Sequence, residues 1–335
     1  MNSLPFVAAA TLRTGARLVS RVGGGALLIL AYHRVLKERD PLLPDEPDAR
    51  EFGQHLDVLQ SVFNVLPLME AFDRMRTRSL PARAVCITFD DGYANNCDVA
   101  APLLAARGLP ATIFIAPGFL EGGRMFNDTV IEALRRAPTT LDAGALGLGV
   151  LQLTSDVARR SVVATILEQF KYLPLKERQR AVDRFAEQVG ATLPSDLMMT
   201  RRQVRGLAKL GVAVGAHTVN HPILARMEPA EAAREIHESR RILQDITGEK
   251  VEAFAYPNGR PRRDYDGSHV AMVGAAGFRV AVSTASGRAD WRCDPLQLPR
   301  IMPWDRKATR FVLRMLRACT QTADRVAVPV QAAGG

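Results

Sequence analysis

Short apolar runs of five to seven residues alternate with amphipathic helical patterns along most of this chain. Helices interleaved with such strands must bury their apolar faces on the sheet the strands form, so the pattern argues for an α/β architecture. The runs are Ala26–Tyr32, Ala84–Phe89, Ala111–Ala116, Val212–Ala216, Val251–Tyr256 and Phe278–Ser283, with Leu298–Ile301 as a candidate last strand. Between them, Phe52, Leu56 and Leu59 recur at helical spacing, Leu68–Met75 follows Pro67, and Asn95–Arg107 is closed by Gly108. A longer helix opens at Pro229, carries Ile236, Ile242, Leu243 and Ile246 on its core face, and stops at Gly248. Residues 122–200 break the rhythm. Apart from a Gly-rich patch near 144–149 they read as helices, Val157–Phe170 and Leu175–Val189 after Pro174. With no internal repeat or low-complexity linker, the expectation is one domain over 26–303 with a helical insertion at 122–200. An N-terminal amphipathic helix within 1–25 precedes it, and a basic amphipathic helix with a tail follows in 304–335.

Composition narrows the function classes. At 47% hydrophobic and 24% charged residues, the 335-residue chain is that of a globular protein with a substantial core. A formal charge of +9 and a pI near 9.8 favour acidic partners without choosing among them. Arginine is scattered with no basic run longer than three, and aromatics are only 6%, which argues against a nucleic-acid surface. Cys86, Cys97, Cys293 and Cys319 show no C-x-x-C spacing, so they read as buried or incidental thiols suited to a reducing compartment. No run of 18 apolar residues is present to span a membrane. Near the N-terminus Arg13, Arg17 and Arg21 follow the apolar residues, the reverse of a secretory signal. The expectation is a cytoplasmic protein. The same arginines share one helical face, which fits a helix packed on the domain or one resting peripherally on an anionic membrane.

Two constellations carry chemistry. Thr88-Phe89-Asp90-Asp91-Gly92-Tyr93 directly follows an apolar strand, which puts two adjacent carboxylates at the mouth of an α/β barrel. Neighbouring anions are costly to desolvate without a cation or a proton, although a solvated Asp-Gly turn would read the same way. His217-Thr218-Val219-Asn220-His221-Pro222 also follows a strand, with imidazoles at i and i+4 facing one way. Together they form a two-His, one-carboxylate site with open positions and a free carboxylate as base, the arrangement that hydrolytic metal chemistry needs. Spacing alone does not say which aspartate takes which role. His55, His237 and His269 lie on helical patterns and read as structural or exposed.

At these residues the chain resembles the polysaccharide deacetylase family, carbohydrate esterase family 4, with its NodB-homology domain. The TFDDG motif stands at Thr88–Gly92 and the H-S/T-x-x-H-P motif at His217–Pro222, both complete, and the resemblance covers roughly residues 26–301. It implies a distorted (β/α) barrel of about seven strands and one divalent ion, usually zinc. It implies that Asp91, His217 and His221 bind the ion, that a water on the ion is the nucleophile and that Asp90 is the base.

Two later motifs depart from the family pattern. An Arg-x-Pro-aromatic segment is replaced by Ala255-Tyr256-Pro257-Asn258-Gly259, so the arginine that would orient the base is absent; Arg260 or Arg262 could stand in for it. Tyr256, Pro257 and Asn258 are candidates to line the groove, and Asp290-Trp291 matches another family segment weakly. The C-terminal Leu-x-x-His reads Leu298-Pro299-Arg300-Ile301, with no histidine. Tyr32-His33 instead ends the first strand, as in a circularly permuted branch of the family where a Tyr-His near the N-terminus supplies the general acid. Arg300 is a candidate to contact substrate or pair with Asp90, and the backbone N–H of Tyr93 a candidate oxyanion donor. The expected activity is removal of an N-acetyl group from an amino sugar of a polysaccharide or oligosaccharide. Alternatives are deacylation of a lipid-linked or small amino sugar, and a non-catalytic carbohydrate-binding module on a degenerate deacetylase scaffold.

Overall fold

The computed structural model describes residues 25–144, 147–190 and 192–328. The expected N-terminal helix, with Arg13, Arg17 and Arg21, lies outside the described residues. The strands are β1 (Leu27–Tyr32), β2 (Asn64–Val65), β3 (Ala84–Phe89), β4 (Ala111–Ile115), β5 (Thr140–Asp142), β6 (Val150–Gln152), β7 (Val212–Ala216), β8 (Ala253–Ala255) and β9 (Val280–Val282). Helices are α1 (Ala49–Val62), α2 (Leu68–Arg76), α3 (Ala101–Ala105), α4 (Phe126–Arg136), α5 (Asp156–Lys171), α6 (Leu175–Val189), α7 (Arg201–Gly206), α8 (Pro229–Thr247), α9 (Gly267–Ala275) and α10 (Ala308–Ala318).

One parallel sheet runs β1-β3-β4-β7-β8-β9, with β2 beside the start of β3. It curls until its edges are bridged. Ser283 N–H donates to Leu298 O (2.9 Å) and Ile301 N–H to Ile29 O (2.8 Å), so the expected last strand, Leu298–Ile301, stands between β9 and β1. Such a ring buries both faces of β1 and β3, which explains why they are apolar without alternation. Leu27, Ile29, Cys86, Phe114, Ala253, Ala255, Val280 and Leu298 fill one core cluster, with Phe72 and Met75 of α2 packed against it. The alternate residues Leu28, Leu30, Val85, Ile87, Ile113 and Ile115 belong to another, shared with α1, α8 and α10. Bulk is matched by absence: a Cβ at Gly215 would meet the Phe114 ring at 2.4 Å.

Local signals account for most boundaries. Asp48 and Glu51 form a capping box on α1, and Gly248 ends α8 in the left-handed region at φ 72°. The expected helix over Asn95–Arg107 is shorter and begins as a π-helical turn, Asn96–Ala100. Pro102 has no amide to donate and its ring crowds the carbonyl four residues back, so regular α-helical bonding cannot run through this stretch. The insertion contains α4, α5 and α6 around a core of its own, with Ile131, Leu134, Ile166, Val182 and Phe185 buried. It also holds something the sequence reading did not contain: β5 and β6 pair antiparallel on either side of the Gly-rich patch.

Candidate active site

Every strand of the ring delivers its C-terminal end to one mouth. His33 follows β1, Asp90 and Asp91 follow β3, His217 follows β7, Asn258 follows β8 and Thr284 follows β9. Together with side chains from α4 and α5 they line a cavity of about 660 Å³. The backbone there is bent hard: Asp91 (φ 75°), Thr218 (φ 58°), His221 (φ 49°) and Asn258 (φ 57°) all sit in the left-handed region. Each such residue costs on the order of 1–3 kcal/mol, strain that the surrounding packing must hold in place. Gly92 (φ 90°) follows Asp91 because a Cβ there would lie 2.9 Å from Ile115.

The two aspartates face different partners. Both Asp90 oxygens accept from Arg300, Nη1 at 2.7 Å and Nη2 at 2.6 Å. Arg300 is itself fixed by Ser283 O (3.0 Å) and Thr88 Oγ1 (3.3 Å). Burial alone would raise the Asp90 pKa; the Arg300 charge, the His217 ring and the twin hydrogen bonds outweigh it and hold the carboxyl well below its usual range. Asp91 turns instead to the histidines, its Oδ1 lying 3.5 Å from Nε2 of His217 and 3.5 Å from Nε2 of His221. Burial and the neighbouring Asp90 push its pKa up to about 7.

These three residues fit a metal ion. Their ligand atoms lie within 4.8 Å of one another, and Asp91 Oδ1 is buried with no hydrogen-bond partner. A buried, orphaned carboxylate oxygen is expensive unless a cation meets it. His217 Nδ1 lies 2.7 Å from Ala255 O, a contact that requires the proton on Nδ1 and leaves the Nε2 lone pair facing Asp91. Burial keeps both imidazoles neutral, His217 down to about 4 and His221 well below its ordinary value, which is the state that ligates.

The remaining expected residues divide. His33, half-buried, lines the cavity; burial disfavours its charge, but the Asp91, Glu46 and Asp90 carboxylates overcome that and raise its pKa. Asn258 also lines the cavity. Tyr256, expected in the groove, is instead stacked on Tyr265 (centroids 4.0 Å apart) and donates its hydroxyl to Leu296 O (2.9 Å). Pro257 is buried beside it and does not line the cavity. Arg262 cannot stand in for the missing arginine, since it pairs with Asp324 on the surface; that partner of Asp90 is Arg300. Tyr93 donates its hydroxyl to Asp128 Oδ1 (3.2 Å), and Arg34 lies over its ring (4.6 Å). The hydrogen bonds of the Tyr93–Met198 bridge, Ala94 N–H to Leu197 O and Met199 N–H to Gly92 O, flank the Tyr93 amide without using it. His55 and His269 are buried and hydrogen-bonded, while the His237 ring is exposed.

Sequence reading missed the insertion's share of the site. Buried Arg178 of α6 donates from Nη2 to His221 O (3.3 Å) and lies over the Phe126 ring (4.4 Å). Lys171 and Tyr172, at the end of α5, reach the cavity with Arg260, Arg263 and Trp304. The only trace Arg178 leaves in the sequence is an arginine on the helical face that carries Ala181, Val182 and Phe185.

A family model described as polysaccharide deacetylase matches residues 77–140 and 149–281, more than half of the chain. The chain belongs to the polysaccharide deacetylase family. The family is one of hydrolases, and among its curated members YxkH of Bacillus subtilis (strain 168) is 20% identical over 265 residues, 78% of this chain. The chain spans 66% of the length of YxkH. Of solved structures, the deacetylase PplD of Streptococcus pyogenes in complex with acetate superposes with a TM-score of 0.60 at 19% identity, covering 88% of this chain and 99% of that one. IcaB of Ammonifex degensii gives 0.56 at 19% identity, covering 89% and 98%. At these identities the likeness speaks for the fold, a curled, mostly parallel (β/α) barrel.

Proposed function

We propose that this family member hydrolyses the N-acetyl group of an amino sugar within a polysaccharide or oligosaccharide. The observation that carries the reading is the convergence of Asp91, His217 and His221 beside a second carboxylate, Asp90, that Arg300 holds ionised. A divalent ion on that triad, zinc by family habit, supplies Lewis-acid polarisation and a water of lowered pKa. The Asp90 carboxylate, fixed in orientation, accepts the proton of the attacking water. His33, which lines the cavity with Asp90 and Asp91, gives a proton to the departing amine, a role imidazole suits because its ordinary pKa lies near neutrality. The Tyr93 amide is the donor for the developing oxyanion. Acetate, the molecule held by the Streptococcus pyogenes relative, is the product such a reaction releases. A non-catalytic scaffold has two motives, the arginine missing at Ala255 and the displaced acid; Arg300 answers the first by pairing with Asp90, and the second rests on His33.

Elemental analysis and acetate release from an N-acetylated oligosaccharide test the reading together. Purified protein should carry close to one divalent ion and lose activity on chelation. Asp90→Asn should keep the ion and lose turnover, while Asp91→Asn should lose the ion. An Asp90→Asn protein depleted of metal would reverse the two roles, and a metal-free wild type would remove the site.

A further inference from the structure

The cavity has a second chemical character, set by its outer wall. Lys171 and Tyr172 at the end of α5 face Arg260 and Arg263 of the loop after β8 across its mouth. The Arg263 guanidinium lies 4.7 Å from the centre of the Tyr172 ring, with Arg226 at 5.7 Å and the Lys171 ammonium at 5.8 Å. Among the described residues none of Lys171, Arg260 or Arg263 makes an ion pair, although this chain pairs arginines freely elsewhere. The two acids near them leave the charge standing. Glu168 is exposed and lines the same cavity, and Asp264 is buried behind Arg260, accepting its backbone amide at 3.0 Å. Burial and the charges of Arg260, Arg263 and Arg178 depress the Lys171 pKa against the opposing pull of Asp264. Deeper in, Arg300 already neutralises Asp90. Three cations against one exposed carboxylate, Glu168, leave the outer wall of the cavity net positive, a potential that an anion from outside would satisfy.

We propose that Lys171 and Arg263, which both approach the Tyr172 ring, form with Arg260 of the same cavity wall a subsite for an anionic oxyacid group, phosphoryl or carboxylate, carried by the acylated amino sugar. The proposal rests on the deacetylase reading for the sugar alone; the charge recognition stands on the cavity wall. Arginine guanidinium forks suit both groups, which present paired oxygens. Exposed Trp304, also lining the cavity, offers an apolar face on which a sugar ring could rest. The substrate would then be a glycosyl phosphate or a glycan with uronate beside the acetylated residue, in preference to a neutral chain.

Equilibrium titration of the metal-loaded protein with three probes tests this: N,N′-diacetylchitobiose, N-acetylglucosamine 1-phosphate, and the disaccharide of glucuronate with N-acetylglucosamine. At low salt at least one anionic probe should bind about tenfold or more tightly than the neutral one, the scale of one charge-assisted hydrogen bond. The advantage should shrink as salt rises. Whichever anionic probe leads identifies phosphoryl or uronate as the source. In the variant Lys171→Gln/Arg260→Gln/Arg263→Gln the ratio of anionic to neutral affinity should fall towards one. Equal, salt-insensitive binding of all three probes by the wild type overturns the subsite, whatever the variant does. An anionic preference that survives in the variant also overturns it, by placing the anion on the metal. Tight, variant-sensitive binding of an anionic probe with no acetate released from any of them would support the subsite and count against the deacetylase reading.

Discussion

At the scale of single residues, the site works by giving two neighbouring carboxylates opposite surroundings. The pairing of Arg300 with Asp90 is fully buried, and such pairs add little net stability because both ions lose their hydration. Its effect is to fix the orientation of Asp90 and keep it ionised. Arg300→Met should therefore leave Asp90 buried without a counter-charge, raise its pKa, and move the acid limb of the pH–activity profile towards neutral. In the wild type the folded pKa is depressed, so the Asp90 contribution to stability is full above the unfolded value of about 3.9 and is lost only as pH falls through the lower folded value. Denaturant titration of Arg300→Met should show a loss of about 3–5 kcal/mol, the cost of breaking a buried pair. An unmoved acid limb would mean that Arg300 does not govern Asp90. His33→Ala should keep the ion and lower amide turnover by roughly 10²–10⁴, the range of lost acid–base catalysis, with a smaller loss for esters whose leaving groups need no proton. Both motifs were legible in the sequence because each is written in six consecutive residues after an apolar run. The Asp90 partner was legible only as one of several candidate arginines. It stands 210 positions away, and barrel closure rather than spacing brings it in.

At the scale of elements, the strands and their order at the mouth could be read, and so could α5 and α6, whose ends fall within one residue of the expectation. The β5–β6 hairpin could not. Its strands have three residues each, with only Leu141 fully buried, and so short a run shows too little alternation to register. The insertion also proved to be a wall of the site rather than a decoration on the barrel, through α4, α5 and Arg178 of α6. Arg178 is buried without an ion pair among the described residues, and burial lowers its pKa to about 10. A cation kept under those conditions must hold something, and what it holds is the carbonyl of His221, a proposed ligand residue in a strained backbone conformation. Arg178→Met, similar in length and apolar, should fold with equal or greater stability and yet bind the ion about 10–100-fold more weakly, as when an outer support of a metal ligand is removed. Competition with a chelator of known affinity measures this. Unchanged metal affinity would reduce Arg178 to packing.

At the scale of the whole molecule, the barrel and the site contribute in different currencies. The ring of strands packs into two large apolar clusters, with β1, β3, β4, β8 and β9 contributing beside α1, α2, α8 and α10. That apolar core is a source of stability that a small metal-folded domain lacks. The metal-free site is nonetheless uncomfortable, with an orphaned Asp91 oxygen and an Asp91 pKa raised to about 7 by burial and by Asp90. Ion binding to the folded state alone relieves that and stabilises by mass action, about 2.7 kcal/mol at a concentration one hundred times Kd. For a chain of this size the gain corresponds to a rise in Tm on the order of 5 °C. Chelated protein should then keep its far-ultraviolet circular dichroism and still melt cooperatively, a few degrees lower, with Tm climbing as divalent ion is restored. Asp91→Asn should start near the chelated value and gain little from added ion, because its amide offers the metal no charge. Loss of secondary structure on chelation would contradict this division of labour, since the metal would then be holding the barrel together.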